Sequence, residues 1–430
     1  MRYQAIPSTL FTENRHRFIE KLPPGALCIL QSNDIPQTNA DGTRAFVQNS
    51  NLFWLTGIDQ EETILVLYPD SPLSERRVML FIRQTNEHTA IWEGNKLTKD
   101  AATGVSGIEH IHWTSSFEPA FKKLMSETDL VFLSIDHHPG RSFGPFARNH
   151  RFVHWCKEEF PLHEYRNAAP IIQKLRAIKS AEEINLIRRA CEITHSAFLA
   201  ACRVIRPGIY EYEIEAEYVR EILRHGARGF AYEPIIASGE NSCILHYISN
   251  DQKCQDGDII LIDAAANYAN YAADMTRTVP VSGRFSPRQR AVYNAVLRIL
   301  REASSLLLTG TTPEEYHKAV EALADKELID LGLISVDDIR IQTPQCPARS
   351  KYFLHRTTHY LGLDVHDAGD PYSPFEAGMV LTCEPGIYIR EEGLGVRLEN
   401  DILITRHGNK DLMAGVPLEA EEVESLIAHR

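Results

Sequence analysis

The sequence predicts an α/β amino-terminal domain followed by an α+β carboxy-terminal domain, and three observations carry that expectation. At 430 residues the chain is too long for one ordinary core. Apolar, strand-forming runs alternate with polar segments in the first part, whereas capped helices and hairpins fill the rest. All four tryptophans (Trp54, Trp92, Trp113 and Trp155) lie in the first part, so the composition changes along the chain. Two domains are expected, residues 1–173 and 174–430.

In the first, "TILVLY" (63–68), "RVMLFI" (77–82) and "LVFLSID" (130–136) have the length and residue types of buried strands. In the second, Ser180 and Glu183 form a capping box, and Ile184, Ile187, Cys191, Thr194 and Phe198 follow at helical spacing until "RPG" (206–208) ends the helix. Ser286-Pro287 and Thr312-Pro313-Glu314-Glu315 start two further helices. No low-complexity segment or short-period repeat is present.

Composition removes several function classes. With 43% hydrophobic and 24% charged residues, the chain has the make-up of a soluble globular protein. A net charge of −13 provides no general phosphate-neutralising surface, so nucleic acid is not expected as a partner. The eight cysteines show no C-x-x-C pair, which suits reduced thiols and a cytoplasmic setting. The start, "MRYQAIPSTLFTENRHRF", lacks the apolar core of a secretory signal, and runs such as "IILI" (259–262) are too short to span a bilayer.

The chemistry is concentrated in two hairpin-like stretches. In "GDIILIDAAANYANYAADMTRTVPV" (257–281), the point midway between Asp263 and Asp274 falls inside the polar turn "NYAN". A symmetric hairpin makes the two carboxylates cross-strand partners, about 5 Å apart at Cβ. In "MVLTCEPGIYIREEGLGVRLENDILIT" (379–405), the midpoint of Glu384 and Glu399 falls between Glu391 and Glu392, although Pro385 weakens the symmetry argument. Like charges at such distances raise each other's pKa unless a cation lies between them. Between the hairpins, "HRTTHYLGLDVHD" (355–367) supplies three histidines. His355 and His359 share a face on a strand or a helix, and His359 and His366 share one only on a helix, so spacing does not choose among them. Oxygen ligands with one imidazole and no cysteine suit Mn, Co, Fe or Zn in a hydrolytic two-metal site.

The segments "LIDAAANYANYAADMTRT", "THYLGLDVHD", "CEPGIYI" and "VRLENDI" resemble, in order and spacing, the five-ligand signature of the pita-bread (creatinase/aminopeptidase-like) metallopeptidases. "SGENSCILHY" and the amino-terminal "NSNLFWLTGI" narrow the resemblance to the aminopeptidase P and prolidase branch. It covers nearly the whole chain, and methionine aminopeptidases resemble only the second half. The resemblance implies that Asp263, Asp274, His359, Glu384 and Glu399 bind two divalent ions, with manganese expected first and cobalt or zinc as alternatives. Asp274 and Glu399 would bridge the ions, Asp263 would complete one site, and His359 and Glu384 the other. A bridging water would then be available as hydroxide, with Glu384 as general acid/base. His366 and His246 resemble catalytic imidazoles that face the scissile carbonyl, and His355, Arg397 and Tyr388 resemble substrate-contacting groups. The implied substrates are peptides with proline at the second position. The implied assembly is a homodimer or homotetramer in which Trp92, within "AIWEG", reaches a neighbouring copy's site.

Three departures accompany the resemblance. Ala265 and the "YANY" turn replace glycines, His355-Arg356 replaces a histidine-glycine pair, and Asn400 stands where a second acid is frequent. Two alternatives remain beside the aminopeptidase: a prolidase restricted to Xaa-Pro dipeptides, and a non-catalytic binding protein of the same fold. Retention of all five ligands argues against the latter and against creatinase-like chemistry.

Overall fold

A computed structural model describes residues 3–135, 147–343 and 345–428. The chain forms two compact units, one running Gln4–Arg176 and the other holding Tyr3 and the residues from Ala177 onward.

In the first unit, six strands form a mixed sheet: β1 (Leu27–Gln31), β2 (Ile64–Leu67), β3 (Val78–Ile82), β4 (His110–Trp113), β5 (Leu130–Leu133) and β6 (Glu164–Asn167). Their spatial order is β4-β3-β2-β1-β5-β6, antiparallel where β1, β2 and β3 meet and parallel elsewhere. The three sequence-predicted strands are β2, β3 and β5, and Asp136 of the third lies outside the described residues. Alternate residues Leu27, Ile29, Val66, Phe81, Val131 and Leu133 pack with Phe117, Phe121 and Leu124 of the helix Phe117–Met125. The opposite set, including Cys28, Leu30, Leu65 and Leu80, is also buried. Burial on both faces explains why these strands read as continuous apolar runs.

The second unit joins helix pairs to short antiparallel sheets, the expected α+β pattern. Its strands are β7 (Gly229–Phe230), β8 (Ile235–Ser238), β9 (Ile259–Asp263), β10 (Ala266–Tyr268), β11 (Tyr271–Ala272), β12 (Thr276–Pro280), β13 (Val380–Cys383), β14 (Gly386–Ile389), β15 (Leu394–Arg397), β16 (Asn400–Thr405) and β17 (Gly408–Asp411). The helix Ala181–Cys202 begins with the Ser180/Glu183 capping box, both reciprocal hydrogen bonds being present at 3.3 and 2.9 Å. It ends before Arg206-Pro207, as its sequence requires. Helices Pro287–Leu306 and Pro313–Asp330 start at the predicted Ser286 and Thr312 caps. Seven of the eight cysteines are buried free thiols, and Cys346 is exposed. Among the described residues no helix is long and apolar enough to cross a membrane.

Candidate active site

The two carboxylate hairpins converge in the second unit, but they do so with different registers. In the first, β9 pairs with β12 so that Asp263 faces Thr276, and β10 pairs with β11 so that Tyr268 faces Tyr271. The turn therefore lies at Ala269 and Asn270, both with left-handed backbone (φ 54° and 67°), one residue further along than the midpoint of Asp263 and Asp274. Asp263 and Asp274 are consequently diagonal neighbours rather than direct partners. Ala265 falls opposite Asp274 by continuation of that register and is fully buried. In the second hairpin, β13 pairs with β16 (Cys383 facing Asn400) and β14 with β15 (Gly386 facing Arg397) in one unbroken register. Glu384 and Glu399 thus stand directly opposite each other, and Pro385 introduces no slip.

Each candidate ligand is fixed by its backbone. Asp274 N donates to the Asp401 carboxylate at 3.1 Å. Glu399 N donates to Thr276 O, and the Glu399 carboxylate accepts from Thr276 Oγ1 at 2.7 Å. His359 bonds through its backbone to Thr382, and Glu384 N donates to Thr357 O. Ligand atoms of Asp274, His359 and Glu399 all lie within 4.8 Å of one another. His359 Nε2 is 3.4 Å from Asp274 Oδ2 and 3.5 Å from Glu384 Oε1. Asp263 is held differently: one oxygen accepts from Tyr232 Oη and the other from Arg397 Nη2, each at 2.6 Å.

The remaining predicted residues separate into interior and exposed groups. Arg397 is buried, and its three nitrogens reach Thr276 Oγ1, Tyr388 Oη and Asp263. Tyr388 Oη lies 2.7 Å from His355 Nε2, and His355 Nδ1 lies 2.8 Å from Arg356 O. Because a carbonyl only accepts, Nδ1 carries the imidazole proton and Nε2 accepts from the tyrosine. His366 stacks on His359 at 4.1 Å with an interplanar angle of 7° and is exposed. His246 is exposed beside the buried Tyr247, whose hydroxyl donates to Glu211. Arg356 is exposed, and its charge acts on His317 of the helix Pro313–Asp330. Arg397 is the guanidinium felt by Glu384, His355 and Asp263.

The electrostatics follow from crowding acids in a dry site. Burial pushes Glu384 up to about 7, with Asp274 and Asp263 adding to the rise and His359 and Arg397 opposing it. Burial likewise raises Glu399, reinforced by Asp274, Glu384 and Asp263. For Asp263, burial outweighs the opposing Arg397. Burial opposes charge on His359, yet the Asp274 hydrogen bond and the Glu384 and Asp274 charges hold it up to about 9. His355 is pushed down to about 4 by burial and by Arg397, so it is neutral near pH 7. The four candidate carboxylates and His359 share this region with one directly paired guanidinium, Arg397, among the described residues. The donor set fits divalent cations that accept oxygen and imidazole ligands.

Four contributors escaped the sequence argument: Tyr232, Thr276, Thr382 and Asp401. Thr276 and Asp401 follow Asp274 and Glu399 by two residues, a spacing that keeps side chains on one face of an extended chain. Thr382 precedes Glu384 by the same spacing, its Oγ1 3.4 Å from Glu384 Oε1, whereas Tyr232 carries no comparable local signal.

Residues 185–406 match the model of metallopeptidase family M24, and residues 11–132 match the aminopeptidase P amino-terminal domain. The Xaa-Pro aminopeptidase of Escherichia coli is 35% identical over 440 residues, covering 97% of each chain. The structure of Pseudomonas aeruginosa aminopeptidase PepP superposes with a TM-score of 0.89 at 32% identity, covering 99% of each chain. Zinc-substituted E. coli aminopeptidase P in complex with product superposes with a TM-score of 0.88 at 34% identity, covering 99% of each chain. With the pita-bread fold, the clustered acids and full-length relatives in agreement, the chain belongs to the Xaa-Pro aminopeptidases of metallopeptidase family M24 and is a metallo-exopeptidase.

Proposed function

We propose that the chain hydrolyses the amino-terminal Xaa-Pro peptide bond with two divalent ions. Asp274 and Glu399 would be shared between the ions, Asp263 would complete one site, and His359 and Glu384 would complete the other. The observation that supports this most is the direct opposition of Glu384 and Glu399 beside Asp274 and His359, an acid cluster that burial alone makes costly. Bound divalent ions supply the positive charge that makes a hydroxide available near neutral pH. Manganese is the first candidate, with cobalt and zinc as alternatives.

Glu384 takes a proton from the attacking water and passes it to the leaving nitrogen. His366 and His246, both open to solvent, donate to the carbonyl oxygen as negative charge develops there. The neutral His355, with Tyr388 and Arg397 behind it, lines the substrate side. A proline nitrogen has no amide hydrogen, so recognition uses ring shape and carbonyl contacts.

Family membership favours an aminopeptidase over a dipeptide-restricted prolidase. A panel of Xaa-Pro dipeptides and Xaa-Pro-Yaa peptides under Mn, Co and Zn tests this: the longer peptides are cleaved at least as well. Exclusive dipeptide cleavage overturns the assignment. The proposed setting is the cytoplasm. Trp92 (75% exposed) and Ile91 (79% exposed) form an apolar tip on the helix Glu87–Trp92 of the first unit. That tip supports a homodimer or homotetramer in which Trp92 meets a second copy.

A further inference from the structure

Arg277, on β12, is fully buried, and among the described residues none of its hydrogen bonds reaches a carboxylate. Nε donates to Pro417 O at 2.9 Å, Nη1 to Thr276 O at 2.9 Å and Glu399 O at 2.7 Å, and Nη2 to Asn400 Oδ1 at 2.7 Å. An isolated buried cation is costly, so its charge requires compensation nearby. On the far side of Asn400, Nδ2 donates to Asp411 Oδ2 at 2.6 Å, and the other Asp411 oxygen accepts from Met413 N at 2.7 Å. A guanidinium only donates and a carboxylate only accepts, which fixes the orientation of the amide between them.

We propose that Asp411 is the counter-ion of buried Arg277, coupled to it through the Asn400 amide, and that this relay positions the Glu399 backbone and carboxylate. Its consequence for Glu399 rests on the metal-ligand role proposed above. Arg277 bonds Glu399 O directly, Asn400 is the next residue, and both therefore act on the strand segment that carries Glu399. The arrangement also accounts for the amide at position 400, where the family resemblance leads one to expect an acid: here the acid stands on the adjacent strand, β17. Asp411, Asn400 and Arg277 are positioning residues and do not touch substrate.

The test is an exchange cycle on the full chain: Asp411→Asn, Asn400→Asp and the double exchange. Melting temperature is read on metal-free protein, and Mn affinity by calorimetry. Asp411→Asn strands the guanidinium and lowers the melting temperature; Asn400→Asp places two carboxylates side by side and also lowers it. Each single variant binds Mn about tenfold or more weakly, the scale expected for a group that orients a ligand. The double exchange restores one anion beside Arg277 and recovers both quantities, even where a single variant is too unstable to purify. A double variant no better than the worse single, or an Asp411→Asn protein that melts and binds Mn like the parent, overturns the relay. Parent protein that binds no Mn defeats the metal role of Glu399, while the metal-free melting cycle still judges the relay.

Discussion

The two carboxylate hairpins reach one site by different means. In the second, a continuous register sets Glu384 directly across from Glu399, so an equidistance argument locates the pair. In the first, the turn sits one residue further on, Asp263 faces Thr276, and Asp274 becomes a diagonal neighbour. The shift has a chemical consequence. Thr276 enters the site, where its hydroxyl donates to Glu399 and accepts from Arg397, tying the first hairpin to the second. Register, which turn geometry sets, decides which neutral groups accompany the acids.

The largest expected effect is on the symmetric hairpin. Glu384→Gln keeps the shape but removes the proton carrier, and is expected to lower kcat by about 10²–10⁴-fold for Xaa-Pro-Yaa cleavage. Activity at the full rate in the Mn-loaded variant would exclude Glu384 as the general acid/base.

Removing metal tests the charge balance of both hairpins together. Glu384, Asp263 and Glu399 all have folded-state pKa values above their ordinary range, and His359 is held up to about 9. The folded metal-free protein therefore binds more protons than the unfolded chain, and its stability falls as pH rises from the ordinary carboxylate range through about 7 and on toward 9. Ligands must deprotonate to bind a cation, so saturating Mn offsets that decline. Calorimetric melting temperatures from pH 5 to 9, roughly the span those groups cover, with chelator and with Mn, measure the two slopes. A metal-free melting temperature that rises across this span contradicts the assigned crowding.

The same contrast explains what was legible in the sequence. Helix starts at Ser180, Ser286 and Thr312 were readable because a capping box is local chemistry. The strands β2, β3 and β5 were readable as apolar runs, whereas β4 ("HIHW") and β6 ("EYRN") lack that pattern and belong to the sheet through parallel pairing with β3 and β5. Acids ending apolar strands marked four candidate ligands. Choosing among three histidines needed the family resemblance, because spacing alone is ambiguous. Tyr232 and Asp401 were not found because their contacts are long-range, Tyr232 reaching Asp263 across 31 positions and Asp401 reaching Asp274 N across 127.

A smaller effect is expected where the hairpins are tied together. Thr276→Val keeps the side-chain shape but deletes the donor to Glu399 Oε2 and the acceptor for Arg397 Nε. Leaving these buried groups short of a partner costs about 1–3 kcal/mol in chemical denaturation. The loss should also appear as weaker Mn affinity, since Glu399 loses its orienting hydrogen bond. Thr276→Ser keeps the hydroxyl and should retain most of the affinity. A Val variant with parental stability and affinity would mean that the register shift has no energetic consequence.

The smallest expected effect is at the turn that causes the shift. Ala269 is held at φ 54° yet is only 2% exposed. Ala269→Gly relieves about 1–2 kcal/mol of left-handed backbone strain. It also removes a buried methyl worth about 0.8 kcal/mol and adds about 0.4–1 kcal/mol of unfolded-chain entropy. These terms nearly cancel, so denaturant unfolding should change by less than about 1 kcal/mol in either direction. Ala269→Val keeps the strain and adds a branched Cβ in a buried turn, so it should destabilise clearly. A gain above about 1 kcal/mol in the glycine variant would mean that the methyl contributes little and that strain dominates this turn. A neutral result would show instead how packing sustains a left-handed alanine there, and with it the register that brings Thr276 to Glu399.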